Sequence, residues 1–432
     1  MGMTRTLAAS IMKEFYGSLI QQTLNNEIKL MQFVERSSKK AVDGNRYNYP
    51  VHSTRNAGVG AAREGQALPA AGYQGIDSVY VTMAYNYCRI DLTGQVIKST
   101  AKTTFVQALS LEMEGARKDM RFDMGRQTYE NGNGILCQTG QTSCTTTIYV
   151  KNRYWAPGHP GSKYIQRLGQ YTIGDIGTAD ELSTTSTRVG QIITLTPAAG
   201  SGANCQCDLI ESCSSWDTVT ACGHFMFRAS IGSGVAGTEL KGLRAIIDDN
   251  TATNCYGLTG GYFDNAVIYN VDRDLIKGWN SYVDANTATE RILDSFRLQR
   301  AESEVAKATG KNVSRYFGEY KVVDAFWDSV AGDRRFNSPK FDAGVDSLTF
   351  GGKTFTKDLL APENELFGFN DEVLRWYETC PFEFADDDGR VLKNVSGYDR
   401  WEAFIRHYGQ MAPGEFCAPN GAFVIRDIKV DL

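Results

Sequence analysis

Histidine is scarce in this sequence: His52, His159, His224 and His407 are the four it has in 432 residues. Imidazole is the usual general base and the commonest metal ligand, so this shortage weakens most designs of a catalytic or metal centre. Cys222 and His224 stand two apart. A working thiol–imidazole pair normally joins distant positions and needs a third group to orient it, so a cysteine hydrolase is not expected. An excess of charge of one sign is missing too. A net charge of −5 is far from what broad phosphate neutralisation requires, and any contact with DNA should be local and weak. No apolar run approaches the roughly 18 residues of a membrane span. In TRTLAASIMKEF, the one candidate signal core, Lys13 and Glu14 interrupt the hydrophobic stretch. The expectation is a chain that folds first in a cytoplasm, with no membrane partner, whose ten cysteines serve as small core residues.

Glycine and aromatic residues are plentiful. The 43 glycines come with 21 Phe and 21 Tyr, which implies many turns and much strand instead of disorder. At this length two or three packed lobes are expected.

The sequence changes character along its length. Residues 1–45 carry an apolar stripe at helical spacing, Leu19, Ile20, Leu24, Ile28, Leu30 and Met31, and then loosen into SSKKAVDGN. In 46–98, Tyr47, Tyr49 and Val51 alternate with polar residues, as do Val79, Val81, Met83, Tyr85 and Tyr87. Between them lies AGVGAAREGQALPAAGYQG. This pattern predicts an extended hairpin whose arms of ~15 residues reach ~50 Å. A lone two-stranded ribbon is marginal in water and needs a surface, which a neighbouring copy could supply.

Residues 101–131 predict the clearest helix, with Phe105, Leu109, Met113, Ala116, Met120 and Met124 on one face. Thr103 or Thr104 would cap it, Gly132 would stop it, and Glu114 and Lys118 would pair on its wet side. Its length would be ~45 Å. Residues 137–222 are rich in Gly, Ser and Thr and poor in charge, with short strand-like runs at TTTIYV, GQYTIGD and GQIITLTP. A small inserted β-barrel fits them. Beyond 223, LKGLRAIIDD, TATERILDSFRLQRAESEVAKATG, KVVDAFWDSV and YDRWEAFIRHYG read as helices. The second of these would open on a capping box at Thr287 and Glu290 and stop at Gly310. DSLTFGGKTFTKD reads as paired strands around a Gly-Gly turn, and GEFCAPNGAFVIRDIKV as two strands.

Several motifs imitate chemistry. Gly58-Val-Gly60 lacks the helix and third glycine of a phosphate loop and reads as a hairpin tip. Gly352-Lys353-Thr354 would need a glycine where Ser347 stands. Cys205, Cys207, Cys213 and Cys222 with His224 follow no paired-knuckle spacing for zinc. Buried free thiols are the leading reading there, with disulfides inside the insertion still open. Asp386-Asp-Asp388 reads as a solvated turn, with a weak cation site as its alternative. No metal or cofactor is expected.

The order of these segments resembles the tailed-bacteriophage major capsid proteins of the Hong Kong 97-type fold. RNAGVGAAREGQALPAAG with VTMAYNYCRIDLTGQVIKST resembles that family's extended loop and return strand. FVQALSLEMEGARKDMRFDMGRQTYENGNGIL resembles its spine helix, and ELKGLRAIIDD with FDAGVDSLTFGGKTFTKDLLAPENELFGFN its axial core. The resemblance implies an α+β fold with an N-terminal arm at 1–45, an extended loop at 46–98 and a spine helix at 99–136. The inserted barrel would be 137–222, the axial domain 223–365, and 366–432 the return to the peripheral domain. It implies a non-enzymatic virion subunit, assembled in a bacterial cytoplasm through pentamers and hexamers into an icosahedral shell around double-stranded DNA. A portal, a scaffolding protein and a decoration protein would be its partners. Because the chain begins almost at the arm, the scaffolding protein is expected to be separate.

Inter-subunit contacts are expected at Arg63, Glu64, Pro69, Tyr73, Tyr85 and Tyr87, with simple solubility the equal alternative for the Arg63 and Glu64 charges, and non-specific genome contacts at Arg36, Lys39 and Lys40. Some family members weld subunits by an isopeptide bond from a loop lysine. Here no lysine occurs between Lys40 and Lys98, which predicts a non-covalent shell. The alternatives are an encapsulin-like nanocompartment and, with less support, a soluble hydrolase carrying a β-rich accessory domain.

Overall fold

The computed structural model describes residues 28–37, 46–56, 58–95, 102–138, 147–151, 159–166, 170–174, 188–196, 205–209, 225–228, 239–249, 266–287, 289–331, 349–386, 389, 391–414 and 419–430. The stripe residues Leu19, Ile20 and Leu24, together with Lys39, Lys40, Cys213, Cys222 and His224, lie outside them.

A short helix α1 (Lys29–Phe33) and strand β1 (Glu35–Arg36) open the described chain. Ile28, Leu30, Met31 and Val34 are all buried in the main core. Strands β2 (Arg46–Thr54) and β3 (Gly75–Thr82) form the expected antiparallel ribbon, in register from Arg46 opposite Thr82 to His52 opposite Ile76, with an irregularity before Thr54 meets Gly75. Alternation places Tyr47, Tyr49, Val79 and Val81 inward. The ribbon's second arm was expected to run on through Tyr85 and Tyr87. Instead the chain breaks at Met83, and β4 (Ala84–Thr93) joins a different sheet.

Helix α2 (Lys102–Gln127) buries Met113, Met120 and Met124, and Glu114 pairs with Lys118 at 2.8 Å on the exposed side. It ends before the expected stop. Gly132 does adopt a left-handed φ of +79°, but the helix has already closed. The amides of Gly242, Leu243 and Arg244 donate to the carbonyls of Glu130, Thr128 and Tyr129. The helix end itself is closed locally, by the Thr128 amide on the Met124 carbonyl and the Tyr129 amide on that of Arg126, and the 242–244 segment pairs with the turn that follows.

A six-stranded antiparallel sheet follows, from β5 (Ile135–Gln138), β6 (Thr147–Val150), β7 (Gln170–Gly174), β8 (Arg188–Thr196), β9 (Cys205–Leu209) and β10 (Phe225–Arg228). Its order is β5-β10-β7-β8-β9-β6, so β5 and β6 are the outermost strands. Just beyond β6, the Lys151 amide donates to Gln138 of β5 at 2.8 Å. The sheet therefore spans a wider interval than 137–222.

After it come the brief helix α3 (Leu243–Ile246), a hairpin of β11 (Val267–Ile268) and β12 (Val271–Asp272), and β13 (Tyr282–Asp284). The long helix α4 (Ser295–Thr309) starts later than expected. Thr287 sits at a left-handed φ of +55° and forms no capping box. Arg291 is instead drawn into a bridge with Ile428, and Asp294 caps the helix, accepting from the Arg297 amide at 2.8 Å. Gly310 ends it at φ +70° as expected.

Strand β14 (Arg315–Gly318) and helix α5 (Tyr320–Ala331) precede β15 (Thr349–Phe350) and β16 (Lys353–Lys357). Gly351 and Gly352 both have positive φ, +59° and +80°, the geometry of a primed hairpin turn. Strands β17 (Leu366–Phe369), β18 (Leu374–Phe384), β19 (Lys393–Asn394), β20 (Arg400–Pro413) and β21 (Ala422–Ile425) complete the chain. YDRWEAFIRHYG, expected to be helical, is mostly β20. Ala403, Ile405 and His407 are buried while Phe404, Arg406 and Tyr408 are only partly covered. Pairing with β18 on one side and β4 on the other overrides the helix-compatible spacing.

Two sheets organise the rest. One holds β1, β18 and β20, with β4 and β19 also on β20; the other runs β13-β21-β17-β14-β16-β15. Helices α4 and α5 cover the second through Leu298, Ala301, Val305, Val322, Val323 and Phe326. The main core joins α2, the ribbon root and the first sheet.

Candidate functional site

The ribbon is the most exposed feature of the described chain, and its two ends differ. At the root, Tyr47 stacks on Tyr377 with ring centroids 4.7 Å apart, and the Tyr49 hydroxyl donates to the Pro413 carbonyl at 2.8 Å. The root therefore packs into its own subunit. This corrects the expectation that the whole ribbon depends on a neighbour: Tyr47, Tyr49, Val79 and Val81 face a core their own chain provides.

The tip does not. Arg63, Glu64, Pro69 and Tyr73 are all exposed. Val59, Leu68 and Tyr73 are each more than four-fifths exposed, and Ile76 is two-thirds exposed. Backbone order there rests on local bonds, Gly58 N–H to Asn56 Oδ1 at 2.7 Å and Gln66 N–H to the Arg63 carbonyl at 3.0 Å. Gly58 is needed for a close approach, since a Cβ there would lie 2.9 Å from the Gly72 nitrogen. That explains the glycines of the Gly58-Val-Gly60 motif as packing between the two sides of the tip. Covering an aliphatic side chain such as Leu68 fully would contribute about 1.5–3 kcal/mol, so the tip carries unrealised burial.

Tyr85 and Tyr87 lie elsewhere, on the outer face of β4. Tyr85 packs edge-on against Tyr408 at 5.0 Å, and Tyr87 against Tyr408 and Phe404 at 5.8 and 6.3 Å. The Tyr87 hydroxyl bonds to that of Tyr408 at 3.1 Å. Partial burial, then that hydrogen bond, push the Tyr87 phenol up to about 12. Both tyrosines remain about half exposed. Around them Arg89 pairs with Glu402 at 2.6 Å, Arg406 with Glu383 at 2.8 Å, and Arg400 with Asp91. An aromatic face whose flanking cations are matched by acids suits protein better than phosphate. The sequence alone does not reveal Phe404 and Tyr408 as members of this face. The period-two alternation of AFIRHY was the available signal.

Arg36, the described member of the expected genome-facing set, bonds Glu378 at 2.9 Å. Glu378 also meets His407 Nε2 at 3.1 Å, and that imidazole stacks on Phe382 at 4.2 Å. Burial alone would raise the Glu378 carboxyl, but the hydrogen bond with His407, helped by the Arg36 charge, holds it below the usual range. Burial lowers His407 more than Glu378 raises it.

Burial and a 3.2 Å contact with Glu383 push the Cys380 thiol up to about 12, so it is not a thiolate at neutral pH. Gly352 and Lys353 belong to a strand–turn–strand, without the helix a phosphate loop requires. Among the described residues no group of three His, Cys, Asp or Glu side chains could hold a metal ion, and no helix is long and apolar enough to cross a membrane.

A buried ion network escaped sequence reasoning. Arg126 bonds Glu239 at 2.6 Å, Arg244 bonds Glu130 and Glu365 at 3.1 and 2.9 Å, and Arg426 bonds Asp248 at 3.2 Å. Its members come from widely separated segments, so no local pattern could reveal it. Its part is structural, joining the end of α2 to the second sheet.

No family model matches the chain, and no curated protein matches it in sequence. Solved structures do. The capsid asymmetric unit of cyanophage A-1(L) superposes with a TM-score of 0.53 over 93% of this chain and 92% of that one, at 10% identity. The capsid of an empty GTA particle gives 0.46 over 93% and 90% at 9% identity. The SrpI encapsulin of Synechococcus elongatus PCC 7942 gives 0.41 over 94% and 89% at 6% identity. The first of these establishes a shared fold; the two lower scores add nothing to it. The chain has a mixed α and β fold shared with that phage capsid structure.

Proposed function

We propose that this chain is the shell-forming subunit of a tailed phage, assembling through pentamers and hexamers around double-stranded DNA without catalysing a reaction. The observation that carries the reading is an apolar ribbon tip standing free of its own subunit, on a fold shared with the cyanophage A-1(L) capsid. Val59, Leu68, Pro69 and Tyr73 would be covered by a neighbouring copy, with Arg63 and Glu64 setting the register. The aromatic face of Tyr85 and Tyr87 would form a second contact. Obligate interfaces bury about 2,000–5,000 Å², which offsets the ordering of such a tip.

In this reading residues 1–45 are the arm, α2 the spine, the sheet between β5 and β10 an inserted barrel, and 223–365 the lobe around the symmetry axes, to whose sheet β17 and β21 are added from the segment 366–432 that was expected to be peripheral. Portal, scaffolding and decoration proteins are its partners in this reading. The shell is non-covalent, because the tip has no lysine.

Electron microscopy with light scattering of the purified protein tests the proposal. Closed shells or ring-shaped capsomers are expected, and a monomer that persists at high concentration would overturn it. Shells that enclose a protein cargo and no DNA would move the assignment to a nanocompartment.

A further inference from the structure

The hairpin of β11 and β12 turns on Tyr269 and Asn270, with φ of +53° and +68°. Primed turns favour Asn-Gly or Gly-Gly at these two positions. Asparagine tolerates the left-handed region, but tyrosine does so rarely. A buried tyrosine in that conformation persists only where its surroundings hold it, and three contacts do so here. The Tyr269 hydroxyl donates to the Met411 carbonyl. Lys241 lies over its ring at 5.3 Å. Its own carbonyl accepts from the Tyr80 amide of β3 at 2.9 Å.

The next residue continues the same pattern. The Asn270 side-chain amide donates to the Ser78 carbonyl at 3.3 Å. Backbone groups alternate sides along a strand, so Ser78 and Tyr80 present theirs on one edge of β3. The turn grips that edge at the height where the ribbon leaves the core, between buried Val79 and exposed Ile76.

The other end of the hairpin is anchored. Arg273 is fully buried and donates to the carbonyls of Ala245 and Ile246 at 3.0 and 2.7 Å, satisfying the end of α3 as a C-terminal cation does. The start of α3 in turn bonds the carbonyls of the turn that follows α2, Thr128 to Glu130. A continuous series of hydrogen bonds thus runs from the turn after α2, through α3 and the Arg273 guanidinium, to the edge of the ribbon.

We propose that the Tyr269–Asn270 turn is a positioning device that fixes the direction in which the ribbon leaves the subunit, referenced to the turn after α2. This concerns the subunit by itself and stands whether or not shells form. Tyrosine occupies a position the backbone would give to glycine because its hydroxyl and ring lock the turn against Met411 and Lys241.

The test uses the full chain, spin-labelled at Ile76 and Gln299 through a chemistry that does not involve cysteine. Two variants remove contacts without imposing strain: Asn270→Gly, at an exposed side chain, and Tyr269→Phe, which deletes only the hydroxyl. The Tyr269→Phe/Asn270→Gly pair should broaden or shift the distance distribution and raise amide exchange at Tyr80 by about tenfold, with the melting temperature nearly unchanged. Leu275→Ala, an exposed change on the same loop, should do neither. An unaltered distance distribution in the double variant would overturn the proposal. If the double variant does not fold, Asn270→Gly alone decides by the same distance measurement.

Discussion

Tyr47 stacks on Tyr377 across 330 positions of sequence, ring centroids 4.7 Å apart, and this contact seats the ribbon in the subunit that carries it. Both rings are nearly fully buried. Root and tip therefore belong to different energy balances, and substitutions separate them. Tyr47→Ala should lower unfolding free energy by about 3–5 kcal/mol, as large-to-small changes at buried aromatics do, measured by denaturant titration of the unassembled chain.

Leu68→Asp with Tyr73→Ser should leave that same titration within about 0.5 kcal/mol, because neither side chain is covered. Assembly should need a markedly higher protein concentration, read by light scattering. Assembly at the unmodified threshold would remove the tip from the interface.

Acid should weaken the fold in two stages. Burial, followed by the charges of Lys151 and Arg244, lowers His159 from 6.5 to about 4, and burial also lowers His407. A histidine held neutral in the fold takes up protons more readily once unfolded, so stability falls as pH drops below about 6.5. For His159 the loss reaches on the order of 3 kcal/mol near pH 4. Glu378 is depressed in the fold, so its contribution is present above the ordinary carboxylate range and is lost as pH falls through its folded value. Melting temperatures from pH 7 to pH 4 should decline, and His159→Gln should flatten the first part of the decline.

Two glycines should respond oppositely to alanine. A Cβ at Gly242 would lie 2.4–2.6 Å from the carbonyls of Gln127, Thr128 and Glu130, backbone atoms that cannot swing aside. Gly242→Ala should cost about 3 kcal/mol or more. Gly115 sits within α2 with nothing in reach, so Gly115→Ala should raise stability by about 0.5–1 kcal/mol. Thermal denaturation of both variants checks the pair.

Mature particles boiled in detergent should migrate as a single band at the mass of one subunit. A ladder of multiples surviving reduction would show a covalent weld from a lysine outside the tip.

What the sequence by itself determined was local. The spacing of Met113, Met120 and Met124 marks a helix face, Gly351-Gly352 marks a hairpin, Gly310 marks a helix end, and the uncharged small residues around Arg63 and Glu64 mark a tip without a core. Each signal acts within a few residues, where backbone propensity and side-chain period decide the outcome. Tertiary structure decided the rest. Residues 400–409 became a strand because β4 and β18 flank them, the turn after α2 paired with the segment from Gly242, and α4 began at Asp294 because Arg291 was taken by Ile428. Tyr87 found Tyr408 by the same route. Those partners lie far along the chain, and a hydrogen-bond ladder offered by a distant strand outweighs the few tenths of a kcal/mol per residue that local preference supplies.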